Sequence, residues 1–165
     1  AYTLSQGVRQ CGEFDLIICG KQTTDGDTAQ VGAELAEYLG LPNVSNVLSV
    51  DDYRDGTLSL TTGLDDRLIR LRIALPCLLS MDADINTPRL PSYKIRRQLT
   101  DDRVRMLRFA DFADQDPDHY GLSGSATQVE RIFPPEKTGG RETLDGDAGT
   151  QAQALLALLR QKKFV

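Results

Sequence analysis

With 165 residues, 40% hydrophobic and 26% charged, the chain is long enough for one domain with a real core and has an ordinary globular composition. Its formal net charge of −5 argues against a general nucleic-acid coat, which needs a basic surface to neutralise phosphates. No apolar run approaches the length of a membrane span, and a single histidine with three widely spaced cysteines cannot assemble a four-ligand zinc site.

Along the chain, Leu4, Val8 and Cys11 recur at helical spacing, so residues 3–12 are predicted to form a helix that Gly12 stops. Residues 14–19 are a continuous apolar run, expected as a strand buried on both faces. A polar loop follows to residue 27. Residues 28–39 read as a second helix, with Val31, Leu35, Ala36 and Leu39 on one face and Gly40 at its end. Helix, strand, loop, helix is the alternation of a parallel α/β sheet. Residues 44–50 suggest another strand. Residues 58–60 and 68–73 alternate apolar and polar side chains, as half-exposed antiparallel strands do, with turns at Asp55-Gly56 and Gly63.

PCLLSM, residues 76–81, is a further buried strand, and residues 82–93 form a long loop with two prolines. Lys94, Arg96 and Arg97 make a local basic cluster, and residues 104–109 suggest one more strand. From residue 111 the composition turns acidic, then rich in Gly and Ser. A short strand is expected at 128–133, a tether at 134–150, and a helix at 151–160 that lacks context to pack on itself and so docks on another surface. Cys11, Cys19 and Cys77 lie in apolar surroundings and read as buried, reduced thiols. With no signal peptide at the start, the expected location is cytoplasmic. His119, in the acidic DQDPDHYG, reads as a surface histidine rather than a catalytic base.

The stretch GKQTTDGDTAQVG carries the most chemistry. Gly20 ends a buried strand at the carboxyl edge of the sheet, where open α/β folds bind ligands. The helix predicted to start at Thr28 offers free backbone N–H groups as far as Val31, suited to a phosphate. Gly26 permits a tight turn; Thr23, Thr24 and Thr28 add hydroxyls; Gln22 and Gln30 can bond an adenine or ribose edge. Asp25 and Asp27 repel phosphate unless they face away, cap the helix or bond ribose hydroxyls, and Asp27 suits an N-cap as well as a ligand role. The stretch matches neither the Walker A pattern nor G-x-G-x-x-G. On these residues alone, a polar turn and a nucleotide site both remain open.

DLIICGKQTTDGDTAQVGAELAEYLG resembles the signature of the β subunit of electron transfer flavoproteins, in which a strand ending in Gly-Lys-Gln leads through an acidic nucleotide loop to a helix reading Gln-x-Gly. LRIALPCLLSMDADINTPRLPSYK follows at the right distance and resembles that family's Leu-Pro strand, Asn-x-Pro-Arg loop and basic segment. The resemblance covers roughly residues 3–108. It implies a Rossmann-like α/β domain of the adenine nucleotide α-hydrolase group at 1–110, N-terminally incomplete and so exposing an apolar sheet edge. An extended arm at 111–165 would end in a helix that wraps the α subunit.

The resemblance further implies that Gly20, Lys21, Gln22, Thr23, Thr24 and Asp25, with Gly26, Asp27, Thr28, Ala29, Gln30 and Val31, line an adenine-nucleotide site. In simple members this holds a structural AMP. In electron-bifurcating members it holds a second FAD reduced by NADH, with ferredoxin or flavodoxin as one acceptor. The spelling TTDGDTAQVG and the stretch YGLSGSATQVERIFPPE are closer to the bifurcating form. Asn86, Pro88, Arg89 and Tyr93, supported by Lys94, Arg96 and Arg97, fall on the loop that docks acyl-CoA dehydrogenases, with tyrosine where simpler members carry leucine. The alternatives are a β subunit that holds AMP and only docks partners, and a universal-stress-like nucleotide-binding protein. No catalytic acid, base, nucleophile or metal is expected from this chain.

Overall fold

The computed structural model describes residues 1–100, 104–134 and 143–165. Its contacts divide into two units, Ala1–Gln128 and Val129–Val165.

The first unit opens with helix α1, Tyr2–Cys11, and Gly12 ends it at φ 119°. The face α1 turns inward is not the predicted one. Leu4 and Cys11 are exposed, whereas Ser5 and Gln6 are buried. The small Ser5 hydroxyl donates to the Tyr2 carbonyl at 2.7 Å, so its burial leaves no polar group unpaired. Strand β1, Leu16–Gly20, follows, then helix α2, Val31–Leu39. Gly40 closes α2 in the left-handed conformation, its N–H reaching the carbonyls of Ala36 and Glu37.

Strand β2, Asn43–Arg54, is longer than the predicted 44–50 because it serves two partners. Its first half runs parallel to β5, Cys77–Met81, and its second half pairs antiparallel with β3, Thr57–Gly63. Register shifts between Val47 and Ser49 and between Val50 and Asp52 mark the change of partner. The hairpin from β2 to β3 turns on Asp55 (φ 50°) and Gly56 (φ 73°), both left-handed as a two-residue connection requires. Strand β4, Leu68–Ala74, completes the predicted antiparallel pair with β3.

The strand order is β1-β5-β2-β3-β4, so the sheet is mixed: parallel in β1-β5-β2 and antiparallel in β2-β3-β4. This is an α/β fold with a Rossmann-like parallel half. β5 lies at its centre and is buried on both faces, as its apolar run predicts. Leu78 packs with Leu35 and Ala36 of α2, and Cys77 and Leu79 pack with Val47, Leu58, Leu60 and Ile73. Leu60, Leu78 and Leu79 are fully buried, each stabilising by roughly 1.5–3 kcal/mol.

β1 departs from expectation. It is an edge strand, and although Ile17 and Cys19 pack toward α2, Ile18 on the other face is 59% exposed. Residues 104–108 form no strand and lead into a 3-10 turn, Phe109–Asp111, closed when the Arg108 N–H donates to Asp111 at 2.6 Å. Among the described residues no strand forms at 128–133 either, and residues 135–142 of the expected tether lie outside them.

A short helix α3, Tyr93–Arg96, follows β5 in the first unit; in the second unit, helix α4, Ala148–Gln161, contains the predicted 151–160 and starts earlier because Asp147 caps it, accepting the Thr150 N–H at 2.8 Å. None of its residues is buried, and Leu155 and Leu156 are 46% and 43% exposed. Among the described residues no helix is long and apolar enough to cross a membrane.

Candidate functional site

β1 and β5 are parallel neighbours whose last residues, Gly20 and Met81, lie side by side, so their loops leave the same carboxyl edge. The first turn of α2 presses onto that edge. Gly32 allows this, since a Cβ there would sit 2.1 Å from the Ser80 hydroxyl of β5.

The helix begins at Val31 and not at Thr28. Asp27 (φ 53°) and Ala29 (φ 54°) hold left-handed conformations that no helix can contain. The N-cap is therefore Gln30, with no side-chain cap, and Asp27 instead accepts a bond from Gln22 Nε2 at 2.5 Å across the loop. The first intrahelical bond runs from Glu34 N–H to the Gln30 carbonyl. The donors without an intrahelical partner are thus Val31, Gly32 and Ala33, three residues later than the sequence suggests. The strained Ala29 sits where the chain turns back to the sheet edge, a common place for such strain.

A cavity of about 290 Å³ occupies this corner, lined by Gly20, Lys21, Gln22 and Thr23 on one side and Thr28, Ala29, Gln30 and Val31 on the other. Thr24, Asp25, Gly26 and Asp27 form the outer turn and do not line it. Cys19 does, although the sequence reads it only as a buried thiol and not as a site residue. It faces α2 at the end of β1, and burial pushes its thiol pKa up. A second cavity of about 290 Å³ lies on the other side of Lys21, lined by Gly20, Lys21, Gln22, Met81, Asp82 and Ala83. Lys21 Nζ is 3.0 Å from Asp82 Oδ2. The Asp82 carboxyl is held below the usual range, first by the Asp84 N–H and then by Lys21.

These residues fit the adenine end of a nucleotide. N–H groups without an intrahelical partner at the start of α2 suit a phosphate, and hydroxyls and amides line the rest. Asp27 is bonded to Gln22 and lies outside the cavity lining, so it is not aimed at that phosphate position.

The second predicted group follows Met81. Asp82 caps a 3-10 turn, Ala83–Ile85, and Ser92 caps the short helix α3, Tyr93–Arg96. Asn86, Pro88, Arg89, Tyr93, Lys94, Arg96 and Arg97 are all exposed. The Arg97 guanidinium stands 6.0 Å over the Tyr93 ring, and Tyr93 is 75% exposed. Leu90 (93%) and Ile95 (62%) present apolar surface beside these cations, which sequence reasoning missed because neither stands at a patterned position.

A larger cavity of about 710 Å³ lies at the amino end of β1, lined by Val8, Arg9, Phe14 and Pro76 among others, away from both groups. His119 is a surface side chain, as expected, with Nδ1 2.6 Å from Asp114 Oδ2. Tyr2 donates to the same carboxylate, and the Asp116 N–H adds a bond. Asp114 is held at about 2, by the Tyr2 bond first, then by the Asp116 N–H and His119. The cysteines divide: Cys77 is buried, Cys19 half-buried, and Cys11 is exposed at the last turn of α1, contrary to the expectation of burial. Among the described residues no group of three or more His, Cys, Asp or Glu side chains is placed to hold a metal ion.

Comparison with known proteins adds lineage to this geometry. Residues 1–104 match the model of the electron transfer flavoprotein domain. The chain is 32% identical over 165 residues to the electron transfer flavoprotein subunit beta of Clostridium acetobutylicum, covering 100% of this chain and 62% of that protein. It is 30% identical over 164 residues to the caffeyl-CoA reductase-Etf complex subunit CarD of Acetobacterium woodii, covering 99% and 62%. With the electron transfer flavoprotein subunit beta of Megasphaera elsdenii it shares 32% over 171 residues, covering 98% and 63%. The chain therefore spans about 62% of the length of these relatives. On the domain match over residues 1–104 and on 32% identity along the whole chain, the chain belongs to the electron transfer flavoprotein family.

Proposed function

We propose that this chain serves as the β subunit of an electron transfer flavoprotein and holds an FAD by its adenine end at the carboxyl edge of β1. The observation that carries the reading is the corner cavity lined by Gly20 to Thr23 and Thr28 to Val31, with α2 beginning directly above it. In this reading the N–H groups of Val31, Gly32 and Ala33 receive a phosphate, Thr23 and Thr28 add hydroxyl bonds, and Gln22 and Gln30 orient the base or ribose. Thr24, Asp25, Gly26 and Asp27 shape the loop from outside. The flavin, when bound, supplies the one- and two-electron chemistry, and this chain supplies binding, orientation and exclusion of water.

NADH is the proposed donor in an electron-bifurcating assembly, with ferredoxin or flavodoxin as one acceptor. The exposed segment 86–97 fits an acyl-CoA dehydrogenase as the other partner. One relative is named for a caffeyl-CoA reductase complex, which agrees with that class. There Tyr93 and Leu90 are the anchors and Arg89, Lys94, Arg96 and Arg97 the surrounding charges. Helix α4, with its leucines uncovered within its own unit, is proposed to dock on the α subunit. Removing residues 145–165 is then expected to weaken co-purification with that subunit, and undiminished co-purification would refute the assignment.

A second reading has its own support. A cavity of about 290 Å³ sits at the small end of ligand sites, about 300–1,000 Å³, which favours AMP in a structural role. Membership of the family sets aside the universal-stress-like alternative. The test is the nucleotide content of the full-length subunit purified with its α partner and denatured. Two FAD per heterodimer is the expected result. One FAD with one AMP would establish the structural-AMP form instead. Fewer than two nucleotides per heterodimer would overturn both readings.

A further inference from the structure

The sheet register forces an adjacency that neither loop announces in sequence. Gly20 pairs with Met81, so the next residue on each strand, Lys21 and Asp82, leaves the sheet beside the other. Their side chains meet at 3.0 Å and are 35% and 16% exposed. Asp82 has further bonds. Its Oδ1 accepts the Asp84 N–H at 3.0 Å, its carbonyl accepts the Ile85 N–H at 3.2 Å, and its own N–H donates to the Val47 carbonyl at 3.0 Å. One residue therefore starts the exposed segment, ties it to β2, and grips Lys21 where the 20–31 loop leaves β1. Lys21 borders both cavities at the carboxyl edge, whereas Asp82 borders one.

We propose that Asp82 is a positioning residue that couples the two loops through Lys21, so that a nucleotide in the 20–31 corner and a protein docked on 86–97 each strengthen binding of the other. The coupling rests on the reading of residues 20–31 as a nucleotide site. A ligand that orders that loop fixes Lys21, Lys21 fixes the Asp82 carboxylate, and the carboxylate fixes the turn it caps. Once one ligand has met the ordering cost, the second meets less of it, and the effect is reciprocal. A half-exposed ion pair transmits at the low end of such effects, about fivefold.

The variant Asp82→Asn separates charge from capping, because an asparagine oxygen still accepts the Asp84 N–H while Lys21 loses its counter-charge. Amide hydrogen exchange is measured on the full-length heterodimer stripped of nucleotide, before and after adding FAD or AMP. In the wild type, nucleotide is expected to slow exchange at residues 84–97 about fivefold, as well as at 20–34. In Asp82→Asn only 20–34 slows, which also shows that the variant is folded. Lys21→Arg keeps a cation and retains both responses; Lys21→Met breaks the bond from the other side and uncouples the segments. Protection of 20–34 with no change at 84–97 in the wild type overturns the coupling and leaves the nucleotide site standing. So does an Asp82→Asn response at 84–97 equal to the wild type. No response in either segment removes the nucleotide site, and the coupling with it.

Discussion

Two loops leave adjacent parallel strands at one edge of the sheet, and they are built in opposite ways. Residues 20–31 are small, hydroxylic and acidic; they fold back on the sheet edge, and most of them line a cavity under α2. The segment after β5 is proline-rich, apolar and basic; it presents Leu90, Tyr93 and Ile95 outward, at 93%, 75% and 62% exposure. A small ligand is bound by convergent polar groups in a concavity, whereas a protein partner is bound by exposed apolar anchors ringed with charge. The two loops are joined at their common origin by the Lys21–Asp82 ion pair.

The contrast is broken most strongly at Gly32. A side chain there would lie 2.1 Å from the Ser80 hydroxyl and 3.6 Å from Leu78 Cδ2, so Gly32→Val has to lift the start of α2 from β5. The expected cost is about 1–3 kcal/mol of stability, read as a lower urea midpoint, together with loss of retained nucleotide. A midpoint and nucleotide content matching the wild type would mean that α2 does not set the cavity.

Tyr93→Ala tests the outward loop. Stability is expected to stay within about 0.5 kcal/mol, because the ring is not part of the core. Affinity for the proposed acyl-CoA dehydrogenase partner is expected to fall by about 2 kcal/mol, near thirtyfold, by calorimetric titration. A loss of stability with unchanged affinity would reverse the assignment of this loop.

The smallest effects are in pH dependence, and they run in opposite directions. The Asp82 pKa is lowered from 3.8, so its contribution is present above that value and lost as pH falls through the lower folded value. His119 is raised from 6.5 by its bond to Asp114 and by the charges of Asp114, Asp116 and Asp118. Its contribution is full below 6.5 and lost as pH rises through the higher folded value. Alkali above that range is therefore expected to loosen residues 109–120, where Tyr2, Tyr120, Phe109 and Phe112 cluster, while leaving the carboxyl-edge pair intact. Acid well below 3.8 is expected to loosen the carboxyl edge. Asp114, held at about 2, also lets 109–120 loosen in strong acid, so hydrogen exchange distinguishes the two segments on the alkaline side, and a common alkaline response would contradict separate origins.

Periodicity and end signals were enough for α1, α2, β3, β4, β5 and the tail helix, because each depends on local side-chain spacing, a capping residue or a continuous apolar run. They were also enough for the Asp55-Gly56 hairpin and for the residues of the carboxyl-edge loop, whose composition differs from everything around it. Local pattern could not say that β5 inserts between β1 and β2, since parallel neighbours are joined by contacts distant in sequence. Ile18 being exposed, Ser5 buried, β2 serving two partners and Lys21 meeting Asp82 all follow from that insertion or from helix packing. The delayed start of α2 belongs to the same class. Asp27 and Thr28 read as a helix beginning, yet the chain must first turn through left-handed Asp27 and Ala29 before Gly32 can close on Ser80. Sequence by itself determined which segments could be strands, helices and polar loops, because those choices are made over a few neighbouring residues. Only the tertiary structure decided which strand ends stand side by side, and with them where the candidate site lies.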